Sequence, residues 1–277
     1  MKIVFLGRDA CMTAAHSDAS GILIDRRILV DCGYFVADRL LTLGIQPQAI
    51  ETLLFTHMHH DHYFGLPQIL FWYLQSGKPL ERLNIYGPEH DLARVVELSF
   101  EFLQAGKGRA FYEDCGRPTL HPLSKKSGFA LKFDRQNDAS QRGQMNTSDD
   151  ADFVYKVTTC ASYHPVDGLC YRIADSAGKV LSLTGDTFWR DDIPDALADC
   201  DALVHETALT TSPVDLSNPP QCLHSNIDIA VRTAKMSRAK RLYVLHFAES
   251  SCDDVQKRAK ELGLEAVYPK LLYEYEV

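Results

Sequence analysis

The sequence predicts an α/β fold of two β-sheets with helices on their outer faces. Three observations lead there. Short apolar runs of strand length dominate the early chain. From the middle onward such runs alternate with segments of helical spacing, a pattern that suits sheets covered by helices. The chain has 277 residues with 45% hydrophobic content, enough for a sizeable core and normal for a two-sheet sandwich expected to form a single domain over 1–277.

In order, Ile3–Leu6 is an apolar strand ending at Gly7. Gly21–Asp25 and Ile28–Asp31 follow as a strand pair around a tight turn at Asp25-Arg26-Arg27. Val36–Leu43 has helical spacing and stops at Gly44. Glu51–Phe55 is a buried strand and Gln68–Gln75 an apolar helix. Leu80–Tyr86 reads as a strand closed by Gly87-Pro88, and Asp91–Gln104 as an amphipathic helix with Gly106 as its stop. Gly128–Phe133 is a strand. A polar stretch around 134–152 lacks apolar periodicity and is expected to be a loop or insertion. Phe153–Cys160, Cys170–Ala174, Val180–Leu183, Ala202–His205 and Arg241–Leu245 are strands. Ile193–Asp199, Asn226–Met236 and Cys252–Leu262 read as helices, the last stopped by Gly263.

The chemistry concentrates in Thr56-His57-Met58-His59-His60-Asp61-His62, at a strand-to-helix turn. Neutral imidazole is a good ligand for zinc, iron or manganese, and a carboxylate adds a hard oxygen and charge. His57 and His59 alternate by two, so on extended backbone they point to one side. Asp61 and His62 are adjacent and can aim at different positions, so one motif can serve two metals. His60 falls between the ligand positions. Three further candidates stand at strand ends: His164, Asp186 and His246. Each alone could be a hydrogen-bonded edge residue.

His57-Met58-His59-His60-Asp61-His62 followed by Gly65-Leu66-Pro67 resembles the signature of the metallo-β-lactamase superfamily. The opening Ile3-Val4-Phe5-Leu6-Gly7 and two later segments are most similar to its ribonuclease Z branch. The resemblance implies a four-layer αββα sandwich with two divalent metal ions at one edge, zinc foremost, with manganese or iron as alternatives. It assigns His57, His59 and His164 to one metal, Asp61, His62 and His246 to the other, and Asp186 to both. Val204-His205-Glu206-Thr207-Ala208 and Leu223-His224-Ser225-Asn226 resemble segments whose histidine and glutamate act in catalysis, which points to His224 and Glu206. Their structural alternatives are an ion-paired strand end for Glu206 and a helix-cap neighbourhood for His224, with Ser225 or Asn226 as the cap. His16, His90, His121 and His205 receive no role.

The implied activity is that of a binuclear metal-dependent hydrolase, foremost a phosphodiesterase using a metal-bridging hydroxide, with Asp61 orienting it and His224 protonating the leaving group. Thioester, lactone or sulfate-ester hydrolysis on the same site, or a non-catalytic metal-binding role, are the rivals. The family's long tRNA-gripping arm is inserted between the positions matching His164 and Asp186. Here those residues are only 22 positions apart, and Leu223 and Asn226 stand where the family has glycine and threonine. A net charge of −8 and only short basic clusters, Lys125-Lys126 and Arg238–Arg241, suit a small phosphodiester better than RNA. Eight scattered cysteines without a C-x-x-C pair, and the absence of an apolar run of about 20 residues, suit a reduced cytoplasmic protein with no membrane partner. The resemblance also implies a homodimer.

Overall fold

The computed structural model describes residues 1–103, 116–133 and 153–277. The polar stretch expected around 134–152 lies wholly outside them, as do Gln104 and Gly106 of the predicted helix stop. Two seven-stranded sheets are formed by the described residues. The first runs in the order β14(Glu274–Glu276), β1(Lys2–Gly7), β2(Gly21–Ile24), β3(Ile28–Val30), β4(Thr52–Leu54), β5(Asn84–Pro88), β6(Thr119–Leu123). The second runs β13(Ala266–Val267), β12(Leu242–Leu245), β11(Ala202–Glu206), β10(Val180–Leu183), β9(Leu169–Ala174), β8(Phe153–Ala161), β7(Gly128–Phe133).

Alternation along the strands divides the core into layers. Ile3, Phe5, Ile22, Ile24, Ile28 and Val30 of the first sheet meet Tyr171, Ile173, Leu181, Leu183, Val204 and Tyr243 of the second. The other face of the first sheet, including Val4, Leu23, Leu29 and Leu53, packs under α1(Val36–Thr42), α3(Leu66–Ser76) and α4(Leu92–Leu103). The outer face of the second packs under α5(Ile227–Met236) and α6(Cys252–Glu261). The result is the four-layer αββα sandwich. Among the described residues no helix is long and apolar enough to cross a membrane.

Local chemistry explains most boundaries. Asp25 (φ +45°) and Arg26 (φ +57°) make the left-handed turn that joins β2 to β3. Asn226 caps α5 by accepting from the Ile229 amide at 3.0 Å, and α3 ends at Gly77 in the left-handed conformation. Two expectations need correction. Leu80–Tyr86 is not one strand: Leu80–Arg82 form a 3₁₀ turn and β5 starts at Asn84. Leu80 and Leu83, three apart, both bury in the same core, which a period of two forbids. Ile193–Asp199 is not a helix either. It holds isolated turns, Leu197 to Pro194 and Ala198 to Asp195. Its carbonyls at Ala196 and Ala198 accept instead from Ser182 and Arg172, and Asp199 turns left-handed at φ +50°. The short strands β6, β13 and β14 and the single-turn helix α2(His60–Tyr63) are additions to the sequence reading.

The topology also fixes where chemistry can occur. Strands β3 to β6 are mutually parallel, as are β10 to β13. Loops after β3, β4, β10, β11 and β12 converge, the strand-end position where α/β sheets bind ligands. The turn after β4 is pinned by backbone bonds from Cys32 N to His62 O (2.7 Å), Gly65 N to Cys32 O (3.0 Å) and Leu169 N to Thr56 O (2.8 Å). Gly65 is needed for this approach, because a Cβ there would lie 2.2 Å from the Gly33 carbonyl oxygen. Gly65→Ala is therefore expected to destabilise the fold by about 1–3 kcal/mol, while Gly128→Ala, with no neighbour inside 3.9 Å, leaves stability within about 0.5 kcal/mol. Denaturant titration of both variants checks this.

Candidate metal centre

Beyond β4 the backbone stays extended through His59 (φ −81°, ψ 149°) and then turns into α2. The extended part carries His57 and His59 to one side; the helical turn lifts Asp61 and His62 to another. The β8–β9 loop brings His164, β10 delivers Asp186, and β12 delivers His246.

Three overlapping groups of donors result. His57, His59, His164 and Asp186 form the first, Asp61, His62 and His246 the second, and Asp186, His224 and His246 the third. In the first, His57 Nε2 and His164 Nε2 each lie 3.1 Å from His59 Nδ1, and they lie 3.6 and 3.9 Å from Asp186 Oδ2. In the second, His246 Nε2 is 3.2 Å and His62 Nε2 3.8 Å from Asp61 Oδ2. Asp186 reaches this group too, with Oδ1 3.6 Å from His62 Nε2 and Oδ2 3.4 Å from His246 Nε2. All seven predicted metal-binding residues are thus brought together.

The donor set fits divalent cations. A tetrahedral ion with bonds of about 2.0–2.1 Å has donor–donor edges of about 3.3–3.4 Å, close to these separations. His62 Nε2 is buried without a hydrogen-bond partner, yet it faces two carboxylates. Electrostatics agree for the three histidines of the first group, since a ligand histidine must be neutral. Burial pushes His57 and His59 below the usual imidazole range and His164 to about 4. Burial also opposes the charged forms of Asp61 and Asp186. For Asp61 the hydrogen bond from His246 and the charges of His62 and His246 prevail, holding it at about 2. For Asp186 the charges of His246, His62 and His57 prevail and hold it low. His62 and His246 are pulled the other way: the carboxylates overcome burial and raise both.

An outer layer orients these groups. Asp31, itself 2% exposed, accepts from the Thr56 amide (2.8 Å) and hydroxyl, and its Oδ2 lies 2.8 Å from His62 Nδ1. That is the carboxylate–histidine arrangement that fixes a ligand's tautomer. Sequence reasoning left Asp31 as a strand end; its signal was a buried-strand aspartate standing just before Cys32-Gly33. The other omission is Arg8, whose carbonyl accepts from the His246 amide at 2.7 Å. Asp31 (φ +59°), Leu223 (φ +49°) and His246 (φ +70°) are all left-handed non-glycine residues, each costing about 1–2 kcal/mol. The value at Leu223 accounts for the glycine that the related segment carries there.

His224 follows Leu223 at the open side of the cluster. Its Nδ1 lies 3.1 Å from Glu206 Oε1 and 3.8 Å from Asp186 Oδ2. Glu206 ends β11 and pairs with His224, as its structural alternative described, and it also accepts from the Thr187, Ser225 and Ala208 amides at 3.2, 2.9 and 2.9 Å. Burial disfavours a charged His224, but the Glu206 hydrogen bond and charge outweigh it and raise the imidazole. Asn226 caps α5, so His224 does stand in a helix-cap neighbourhood, two residues before the cap. His60 is exposed beside Tyr34. His90 faces Asp167, His121 faces Asn84, and His205 is turned to the Glu206 carbonyl. Cys170 is buried and Cys222 exposed; neither belongs to the donor groups.

Comparisons with known proteins match this geometry. The profile described as the beta-lactamase superfamily domain covers residues 26–247. Ribonuclease BN of Cronobacter sakazakii is 26% identical over 299 aligned positions, spanning 97% of this chain and 96% of that protein. Among solved structures, the metallo-beta-lactamase fold protein YhfI of Bacillus subtilis superposes with a TM-score of 0.71 at 21% identity, covering 99% of this chain and 98% of that one. The short form of human tRNase Z gives 0.63 at 23% identity, covering 100% and 99%. The chain belongs to the β-lactamase superfamily, and its two helix-covered sheets are the metallo-β-lactamase fold.

Proposed function

We propose that this metallo-β-lactamase-fold hydrolase is a phosphodiesterase with a binuclear centre. His57, His59 and His164 hold one cation, Asp61, His62 and His246 the other, and Asp186 serves both; zinc suits the nitrogen-rich donors best. The observation that carries the reading is the Glu206–His224 pair beside the seven-residue cluster. Bound divalent cations supply Lewis acidity and lower the pKa of water from 15.7 toward about 7.

The chain's own residues supply the rest. Glu206, fixed by three backbone amides, accepts the Nδ1 proton of His224. That contact sets the ring so that Nε2 is directed away from Glu206, available to give its proton to the departing oxygen, a step worth about 10²–10⁴-fold. Asp61, 3.2 Å from His246 Nε2, both binds and orients at the nucleophile's side. The Thr56–Asp31 pair keeps His62 in one tautomer.

Substrate class follows from the span between His164 and Asp186. The β8–β9 loop, β9, a hairpin turn and β10 use up that whole stretch, which leaves no arm there to grip a folded RNA. The names of the relatives point to phosphodiesters, and the absent arm favours small or cyclic ones. A homodimer belongs to the same proposal. It is supported by an exposed aromatic strip in which Phe35, Tyr34, Phe64 and Phe102 follow one another at ring separations of 6.4, 5.7 and 5.7 Å.

Three measurements test the reading. On bis(p-nitrophenyl) phosphate, His224→Ala is expected to lower kcat by about 10²–10⁴-fold while keeping its full metal content by elemental analysis; full activity in that variant rejects the acid role. Asp31→Asn is expected to weaken metal affinity by about 10–100-fold, read by chelator competition. A panel of phosphodiester, cyclic nucleotide, thioester, lactone and precursor tRNA should show turnover of small phosphodiesters that chelation abolishes. Fast thioester or lactone turnover instead, or two metals per chain with no hydrolysis at all, overturns the proposal.

A further inference from the structure

We propose that Arg8 is a positioning residue that holds His246 in its ligand conformation, an inference that rests on the binuclear reading above. His246 leaves β12 with φ +70°, a conformation that a β-strand does not impose and that non-glycine residues adopt only uncommonly. Something must hold it. Its amide donates to the Arg8 carbonyl at 2.7 Å, and the Arg8 and Asp9 amides both donate to the Asp18 carbonyl at 2.9 Å. Arg8 thus meets His246 from the first sheet, just past the end of β1.

The Arg8 side chain grips the same segment from the other side. Its guanidinium lies over the Tyr268 ring, 4.1 Å from the centroid. Nη2 pairs with Glu249 Oε2 at 3.1 Å, and Nη1 donates to the Pro269 carbonyl. Tyr268 in turn packs against Phe247 with rings 4.8 Å apart and donates to the Phe247 carbonyl at 3.4 Å. One residue therefore contacts His246 by its backbone, Glu249 three positions on by its charge, and the partner of Phe247 by its flat face. Arg8 is 8% exposed, its stacked face lying inside while its ion-pair partner Glu249 is at the surface. Its planarity is essential, because a lysine cannot stack and fork at once. His246 Nδ1 has no hydrogen-bond partner. Unlike His62, whose Nδ1 is held by Asp31, His246 has no side chain orienting its Nδ1; outside the donor cluster, where Nε2 meets Asp61 at 3.2 Å, its backbone bond to Arg8 is what holds it.

A clamp that served only to join β1 to the C-terminal segment would affect melting without discriminating between cations. Zinc content by elemental analysis and stepwise zinc affinity by chelator competition are measured on the full chain, with melting of the metal-free proteins alongside. The variants are Arg8→Met, Arg8→Lys, His246→Ala and the Arg8→Met/His246→Ala double. The expected result is that Arg8→Met weakens one zinc by about 10–100-fold, the range seen when a ligand's orienting partner is removed, and leaves the other unchanged. In the His246→Ala background Arg8→Met adds nothing. Arg8→Lys, which keeps the charge and folds if Arg8→Met does not, shows the same selective loss in smaller degree. The inference is overturned if both Arg8 variants hold two zincs with wild-type affinity, or weaken both equally, while His246→Ala has lost one. If the wild type binds fewer than two zincs, or His246→Ala still binds two, the binuclear reading itself fails and the inference falls with it.

Discussion

Asp186 is the point on which the two halves of the molecule agree. It leaves the second sheet and places its carboxylate among imidazoles from both: His57 and His62 of the first, His164, His224 and His246 of the second, all at 3.4–3.9 Å. It is 3% exposed. A buried carboxylate is costly unless matched by positive charge, so the surrounding elements are constrained to keep that charge within reach. Gly185 serves the same demand. It turns left-handed at φ +58°, and a Cβ there would sit 2.7 Å from the Thr56 Cβ, so the strand ends of the two sheets can touch.

Around this hub the polar groups are arranged in depth. Outward from the cluster, Asp31 and Thr56 hold His62, Glu206 holds His224, and the backbone of Arg8 holds His246. Each of these supports comes from the end of a different strand. The apolar layer between the sheets fixes those ends relative to one another, and Tyr171 ties the two sheets directly by donating to the Phe55 carbonyl at 2.7 Å, one residue before Thr56.

The clustered donor side chains were the legible part of this design. His57, His59, Asp61 and His62 lie within six residues and stand out by residue type, whereas His164, Asp186 and His246, each at a strand end, needed the family resemblance to be singled out. The layers were legible by residue type too, since buried strands such as Val180–Leu183 carry no polar residue but Ser182. What stayed hidden depends on long-range pairing. β14 is the polar trio Glu274-Tyr275-Glu276, a strand only because β1 lies beside it. Ile193–Asp199 has helical spacing, yet its carbonyls are taken by Ser182 and Arg172. Arg8 reads as an ordinary charged residue after a strand. Its partners Glu249, Tyr268 and Pro269 are more than 240 positions away, and no local pattern could join them.

The division of the donors between the sheets has a consequence for how the chain is made. Asp186 and His246 follow the His57–His62 turn by more than a hundred positions, and the first sheet takes its edge strand from Glu274–Glu276. Before the second sheet docks, the early turn presents an incomplete and solvent-open set of donors. The full set of donors therefore exists only once both sheets are joined. Assembly of each half must run on its apolar contacts alone, at the pace that pairings so distant along the chain permit.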